Sequence, residues 1–185
     1  MMCLLKNHLE GFHCNKRRCF AIFYALLFMV IGFSGVVAYG AGYRYNSTPS
    51  VARGFWKIHD GTELQKGNYV LVCPKGNPGY DLALERKYVF EHAIMLKKVV
   101  AVEGDCVNYD VDEKAVTVNG EYIFMTEILS QDMEGRPLQG ATFPIRLKKG
   151  QIWLSSEFIR GYDSRYFGPV SADILTKATP VWVYR

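Results

Sequence analysis

The sequence predicts a small, mainly β domain behind a single N-terminal transmembrane helix. Three observations carry that expectation: an uncharged apolar run near the N-terminus, a strong hairpin signature at residues 115–124, and short β-favouring runs punctuated by Gly, Pro and Asn. A chain of 185 residues has room for one domain plus an anchor, not for two substantial domains. With 49% hydrophobic and 22% charged residues and no low-complexity tract, the composition is that of a folded protein. The net charge of +4 is mild. Its densest clusters, Lys16-Arg17-Arg18 and Arg146 with Lys148 and Lys149, read as membrane flanks or solvated faces rather than a nucleic-acid site.

The anchor comes first. Residues 19–43 contain no charged side chain across 25 positions, and roughly 20 apolar residues in a helix cross a bilayer's hydrocarbon core. A cleaved signal peptide has a shorter apolar stretch, about 7–15 residues, although Ala38, Gly40 and Gly42 leave a cleavage site open. Lys16, Arg17 and Arg18 precede the span and Arg44 alone follows it, so the positive-inside rule keeps residues 1–18 in the cytoplasm and exports residues 44–185. The expected location is the bacterial inner membrane, single-pass, with the exported domain in the periplasm. Cys3, Cys14 and Cys19 then lie on or near the reducing side. Cys73 and Cys106 lie in the oxidising compartment, where a bridge between them is open. No CxxC or Cys/His cluster suggests a metal, and nothing calls for a cofactor.

Within the exported part, Tyr69–Val72 is a short β run stopped by Cys73-Pro74. Ala115–Val118, Asn119-Gly120 and Glu121–Phe124 form the hairpin, because Asn-Gly supplies the positive φ angles of a two-residue type I′ turn. Gln151–Leu154 and Val181–Tyr184 also read as strands, Asp81–Met95 as the one plausible helix, and 74–80 and 130–140 as loops.

The chemistry is sought among nucleophiles. There is no GxSxG elbow, and His59 and His92 sit in no Ser-His-Asp motif. A lysine can activate a serine instead if it is neutral at working pH. Its free pKa is about 10.4, so an apolar setting must lower it. Lys97 and Lys98 lie inside such a run, between Ala93–Leu96 and Val99–Val102. Strand alternation lets only one of them face a site, and an edge strand with snorkelling lysines is the other reading. The candidate serine is Ser50, in the stretch Asn46-Ser47-Thr48-Pro49-Ser50-Val51-Ala52-Arg53-Gly54, which composition alone reads as an irregular linker between anchor and domain. Phe55 and Trp56 beyond it fit a substrate cleft, a membrane interface or a core.

Order along the chain brings these together. An anchor, a serine just past it, the segment Lys97–Asp105 (KKVVAVEGD) and the segment Gly161–Val170 (GYDSRYFGPV) together resemble the type I signal peptidase family. Bacterial members of that family carry Ser-Met near the membrane, Lys-Arg-x-x-Gly-x-x-Gly-Asp and Asp-Ser-Arg-x-x-Gly. The resemblance implies Ser50 as nucleophile and Lys97 as general base, with Lys98 where the family usually has arginine. It implies that Thr48 helps an oxyanion hole and that Asp163 and Arg165 order the site. Small size, the Asn-x-Thr-Pro-Ser lead-in, Arg53–Trp56, Val70–Pro74 and Asp132–Leu138 resemble the conjugative-transfer peptidases of the TraF type. Ala52, Ala101 and Glu103 depart from the family's usual proline, glycine and proline.

The implied function is a membrane-anchored serine endopeptidase that processes a membrane-inserted precursor, a conjugative pilin or another exported transfer protein, with head-to-tail joining of the product as one outcome. Its partners are that precursor and the lipid bilayer. A general signal peptidase with the same dyad is an alternative, and a non-catalytic anchored subunit of a secretion or pilus apparatus is another.

Overall fold

The computed structural model describes residues 16–61, 63–91 and 93–185. Residues 1–15, which hold Cys3, Cys14 and most of the 1–18 segment expected to be cytoplasmic, lie outside the described residues, as do Thr62 and His92. The described chain parts into two units between Ala41 and Gly42.

The first unit is one helix, α1 (Lys16–Gly40), 25 residues long and with no buried residue. At 1.5 Å per residue it is roughly 37 Å long, and it is long and apolar enough to cross a membrane. A helix apolar on every face suits lipid rather than a two-faced position on a core. It starts earlier than the uncharged run, because Lys16, Arg17 and Arg18 are good helix formers. It also ends earlier: Gly40 and Gly42, the latter at φ 85°, break it, and Tyr43 already belongs to a strand.

The second unit is mainly β, as expected. A seven-stranded antiparallel sheet has the order β1 (Tyr43–Asn46), β2 (Arg53–His59), β11 (Thr176–Tyr184), β3 (Tyr69–Val72), β4 (Met95–Ala101), β9 (Gln151–Ser155), β10 (Val170–Ser171). A four-stranded antiparallel sheet has the order β7 (Glu121–Tyr122), β6 (Ala115–Val118), β5 (Cys106–Asp110), β8 (Ile145–Arg146). The β6–β7 hairpin turns on Asn119 at φ 53° and Gly120 at φ 88°, both left-handed as a type I′ turn requires. In β2, Gly54 is needed for space as well as for its φ of 131°: a Cβ there would stand 2.1 Å from the Trp182 carbonyl oxygen of β11. β11 itself shifts register between Pro180 and Trp182, since proline offers the ladder no N–H.

Helix α2 spans Pro78–Glu85 rather than 81–95. Asn77 caps it, accepting from the Gly79 N–H at 2.9 Å, and Pro78 takes the first helical position, where its missing N–H costs nothing. Lys87 at φ 60° ends any continuation, and Met95 begins β4. The short α3 (Ser164–Phe167) starts from Asp163, whose carboxylate accepts the Arg165 N–H.

Three apolar clusters hold these elements. Val70, Val72, Met95, Val99, Leu154 and Phe167 pack on one face of the large sheet. Val51, Trp56, Leu96 and Ala178 pack on the other. Ala101, Trp153, Val107, Val116 and Leu147 join the two sheets. Trp56 is therefore core, while Phe55 is 46% exposed and rests edge-on against Tyr45.

Candidate active site

Ser50 lies in the turn between β1 and β2, and that turn is built by Asn46. Its Nδ2 donates to the carbonyls of Thr48, Val51 and Ala52 at 3.0–3.2 Å, and its Oδ1 accepts the Thr48 N–H and hydroxyl. This is the Asx geometry by which asparagine replaces backbone partners in a turn. The loop leans on β4 where β9 leaves it: the β4–β9 pairing runs only to Lys98 and Ser155. There the Ser50 hydroxyl donates to the Leu96 carbonyl at 3.3 Å, one residue from Lys97. The Thr48 hydroxyl stands 2.9 Å from Ser50 Oγ. The Ser50 carbonyl accepts from the Glu157 N–H at 2.7 Å and the Ser156 hydroxyl at 2.9 Å.

Lys97 is 3% exposed and no carboxylate pairs with it among the described residues. Alternation puts it on the Met95 and Val99 face, the first apolar cluster. Burial lowers its pKa from the usual lysine range to about 8; the Asp163 carboxylate opposes that fall and Arg165 adds to it. A large fraction of Lys97 is thus neutral near pH 8, the form that can accept a proton. No hydrogen bond joins Ser50 and Lys97 directly; the hydroxyl's partners are Leu96 and Thr48.

Lys98 turns the other way. Its ammonium meets Glu157 at 3.4 Å and lies 5.7 Å from the Tyr69 ring centroid. Burial, then the hydrogen bond to Glu157, pushes the Tyr69 hydroxyl up to about 12.

Asp163 and Arg165 form a fully buried pair. Arg165 Nε donates to Asp163 Oδ1 at 2.8 Å and Nη2 to Oδ2 at 2.9 Å. The rest of the guanidinium reaches the carbonyls of Glu127 and Gly161 at 2.7 Å and Ile159 at 3.1 Å. One side chain so fastens the 125–127 and 158–161 segments together. An open cleft of about 740 Å³ passes the site, with Pro49, Val51, Lys98, Ser155, Ser156 and Phe124 among its walls.

The structure therefore brings Ser50, Thr48 and β4 together and sets Asp163 and Arg165 behind Lys97. Asn46, Ser156 and Glu157 escaped the sequence reading. The Asn-x-Thr-Pro pattern was a usable signal for Asn46; Ser156 and Glu157 carry none, lying over 100 residues from their partner. Cys73 and Cys106 are both free thiols, so no bridge joins them, and Cys73 stands 3.3 Å from the Tyr80 hydroxyl. His59 contacts Thr179, away from Ser50. Among the described residues no group of three or more His, Cys, Asp or Glu side chains is placed to hold a metal.

Known proteins share this chain's pattern. Conjugal transfer protein TraF of Agrobacterium fabrum (strain C58) is 32% identical over 83% of this chain and 94% of its own length. A plasmid transfer protein TraF of Escherichia coli is 32% identical over 78% of this chain and 85% of its own. A probable conjugal transfer protein TraF of Sinorhizobium fredii (strain NBRC 101917 / NGR234) is 31% identical over 92% and 94%. A signal peptidase I structure from Enterococcus faecalis V583 aligns with a TM-score of 0.38 at 16% identity, over 62% of this chain and 94% of that one, and adds no weight. The profile of the signal peptidases, peptidase S26, matches residues 16–183. The chain belongs to that family, and so to a class of serine proteases.

Proposed function

We propose that the protein is a membrane-anchored endopeptidase with a Ser50–Lys97 dyad that processes the precursor of a conjugative pilin or another exported transfer protein. The carrying observation is Lys97: a buried lysine with no carboxylate paired to it among the described residues and its pKa lowered to about 8, adjacent to the residue whose carbonyl holds the Ser50 hydroxyl. A cation is costly in such a place, and a base is useful there. The transfer context rests on the names of the relatives, which are conjugal and plasmid transfer proteins.

Neutral Lys97 takes the Ser50 proton as Oγ attacks the scissile carbonyl. The Ser50 N–H and the Thr48 hydroxyl steady the oxyanion, a contribution of about 3–4 kcal/mol per donor. Lys97 then returns the proton to the leaving amine. Water resolves the acyl-enzyme, or the precursor's own amine does, closing a ring without adding water. The hydroxyl must swing from Leu96 toward Lys97, and catalytic hydrogen bonds commonly tighten only with substrate bound. The helix α1 tethers the enzyme to the inner membrane with residues 44–185 in the periplasm, confining enzyme and precursor to one plane.

The test is co-expression with a conjugative pilin precursor, comparing wild type with Ser50→Ala and Lys97→Ala. Wild type trims the precursor and both variants leave it intact. Processing by either variant at the wild-type rate rules out the dyad. A product one water lighter than the trimmed linear peptide identifies ring closure. Processing of ordinary secretory preproteins but not of the pilin identifies a general signal peptidase instead.

A further inference from the structure

We infer that Ser156 is a positioning residue, which sets the Ser50 peptide for attack and connects it to the buried Asp163–Arg165 pair; this rests on Ser50 being the nucleophile. Ser156 is 1% exposed, just past the end of β9. Its hydroxyl donates to the Ser50 carbonyl at 2.9 Å, and its N–H donates to Asp163 Oδ2 at 2.8 Å. The Glu157 N–H reaches the same Ser50 carbonyl at 2.7 Å. Two donors on one carbonyl fix the plane of the Ser50–Val51 peptide, and with it the direction of the Ser50 Cα–Cβ bond.

Gly161 packs closely against the Ser156 side chain. A Cβ at residue 161 would lie 2.1 Å from Ser156 Oγ and 2.3 Å from its Cβ. Gly161 is thus kept free of a side chain by the space Ser156 occupies. Gly161 is itself held, its carbonyl accepting from Arg165 Nη2 at 2.7 Å and its N–H donating to the Phe158 carbonyl at 2.8 Å. The contacts run unbroken from Arg165 through Asp163 and Gly161 to Ser156, and from there to Ser50. The Asp163–Arg165 pair, which touches no part of the Ser50 segment in these contacts, acts on it through residue 156. Placement errors near 1 Å at a reacting group cost on the order of 10²-fold in rate, and one of the two donors remains when the hydroxyl is removed.

The test follows acylation of Ser50 in the full-length protein in detergent micelles, with p-nitrophenyl acetate as probe and mass spectrometry locating the adduct. In Ser156→Ala the rate of Ser50 acylation falls about tenfold while the labelled fraction at completion stays that of wild type. A merely structural role gives the opposite split, a smaller labelled fraction reacting at the wild-type rate, and overturns the inference. Ser156→Cys fills the site with a weak donor and serves if the alanine variant does not fold; it is slowed several-fold, and a wild-type rate in it also overturns the inference. Gly161→Ala, which leaves Ser156 in the sequence but displaces its hydroxyl, slows acylation to a similar degree. An unlabelled Ser50 in wild type sinks the nucleophile assignment and this inference together. A labelled Ser50 with an unchanged rate in Ser156→Ala sinks this inference alone.

Discussion

Lys97 and Lys98 leave β4 on opposite faces of the seven-stranded sheet, and the two faces treat a cation differently. On the Lys98 face the ammonium finds Glu157 and the Tyr69 ring. On the Lys97 face the neighbours are Met95 and Val99, and the nearby carboxylate, Asp163, is already bound by two guanidinium nitrogens. The same side chain is thereby a paired surface charge on one face and a depressed base on the other. What separates them is burial first, which lowers the Lys97 pKa, and then pairing, since Lys98 is partly exposed and meets Glu157.

The largest expected effect breaks the Lys97 face. Lys97→Met should lower precursor processing by at least about 10³-fold, measured as initial rates, since a paired general base is lost together with its nucleophile's activation. Next comes the buried pair. Arg165→Met strands the Asp163 carboxylate and should destabilise the domain by about 3–5 kcal/mol, read by chemical denaturation. Lys97→Met should by contrast stabilise it. The folded pKa of about 8 lies below the unfolded value of about 10.4, so the native state resists a proton the unfolded chain accepts. The penalty is fully present below pH 8 and is relieved as pH rises toward 10.4. The gain on substitution is therefore largest below pH 8, up to about 3 kcal/mol, and fades above it.

A finer comparison uses the pH–rate profile. Activity should rise with pH through a midpoint near 8 and level off above it. Because the Asp163 carboxylate holds the Lys97 pKa up, Asp163→Asn should move that midpoint to lower pH in whatever fraction folds. The smallest effect belongs to the other face: Lys98→Met should change stability by under about 1 kcal/mol, because its ion pair is partly solvated.

How much of this was legible depends on how local each cause is. The Asn119-Gly120 turn carries its own instructions, and the hairpin was readable at residues 115–124, although its second strand keeps only Glu121–Tyr122. β1 and β2 were not, because β2's long partner is β11, more than 110 residues away, and Arg44, Arg53 and Lys57 blur the apolar alternation. Asp81–Met95 misled because its apolar residues continue past Glu85, while the stop comes from the left-handed Lys87. For the site, alternation said only that one of Lys97 and Lys98 faces inward. The family register chose Lys97, and the burial difference supplies the physical reason that pattern lacked. Thr48 and Ser50 sat in a stretch indistinguishable from a linker; Asn46 makes it a built turn. Ser156 meets Ser50 through its hydroxyl and Glu157 through its backbone N–H, a meeting that only the folded chain brings about.

The place of β11 in the sheet carries a consequence for timing. Residues 176–184 lie between β2 and β3, so neither of those strands can complete its ladder until they have emerged from the ribosome. A nascent chain short of them exposes two strand edges, the usual template for mispairing. It also lacks the Ala178 contact that packs with Val51 and Leu96 under the serine turn. The turn that carries Ser50 thus gains its full apolar support only once β11 has docked between β2 and β3.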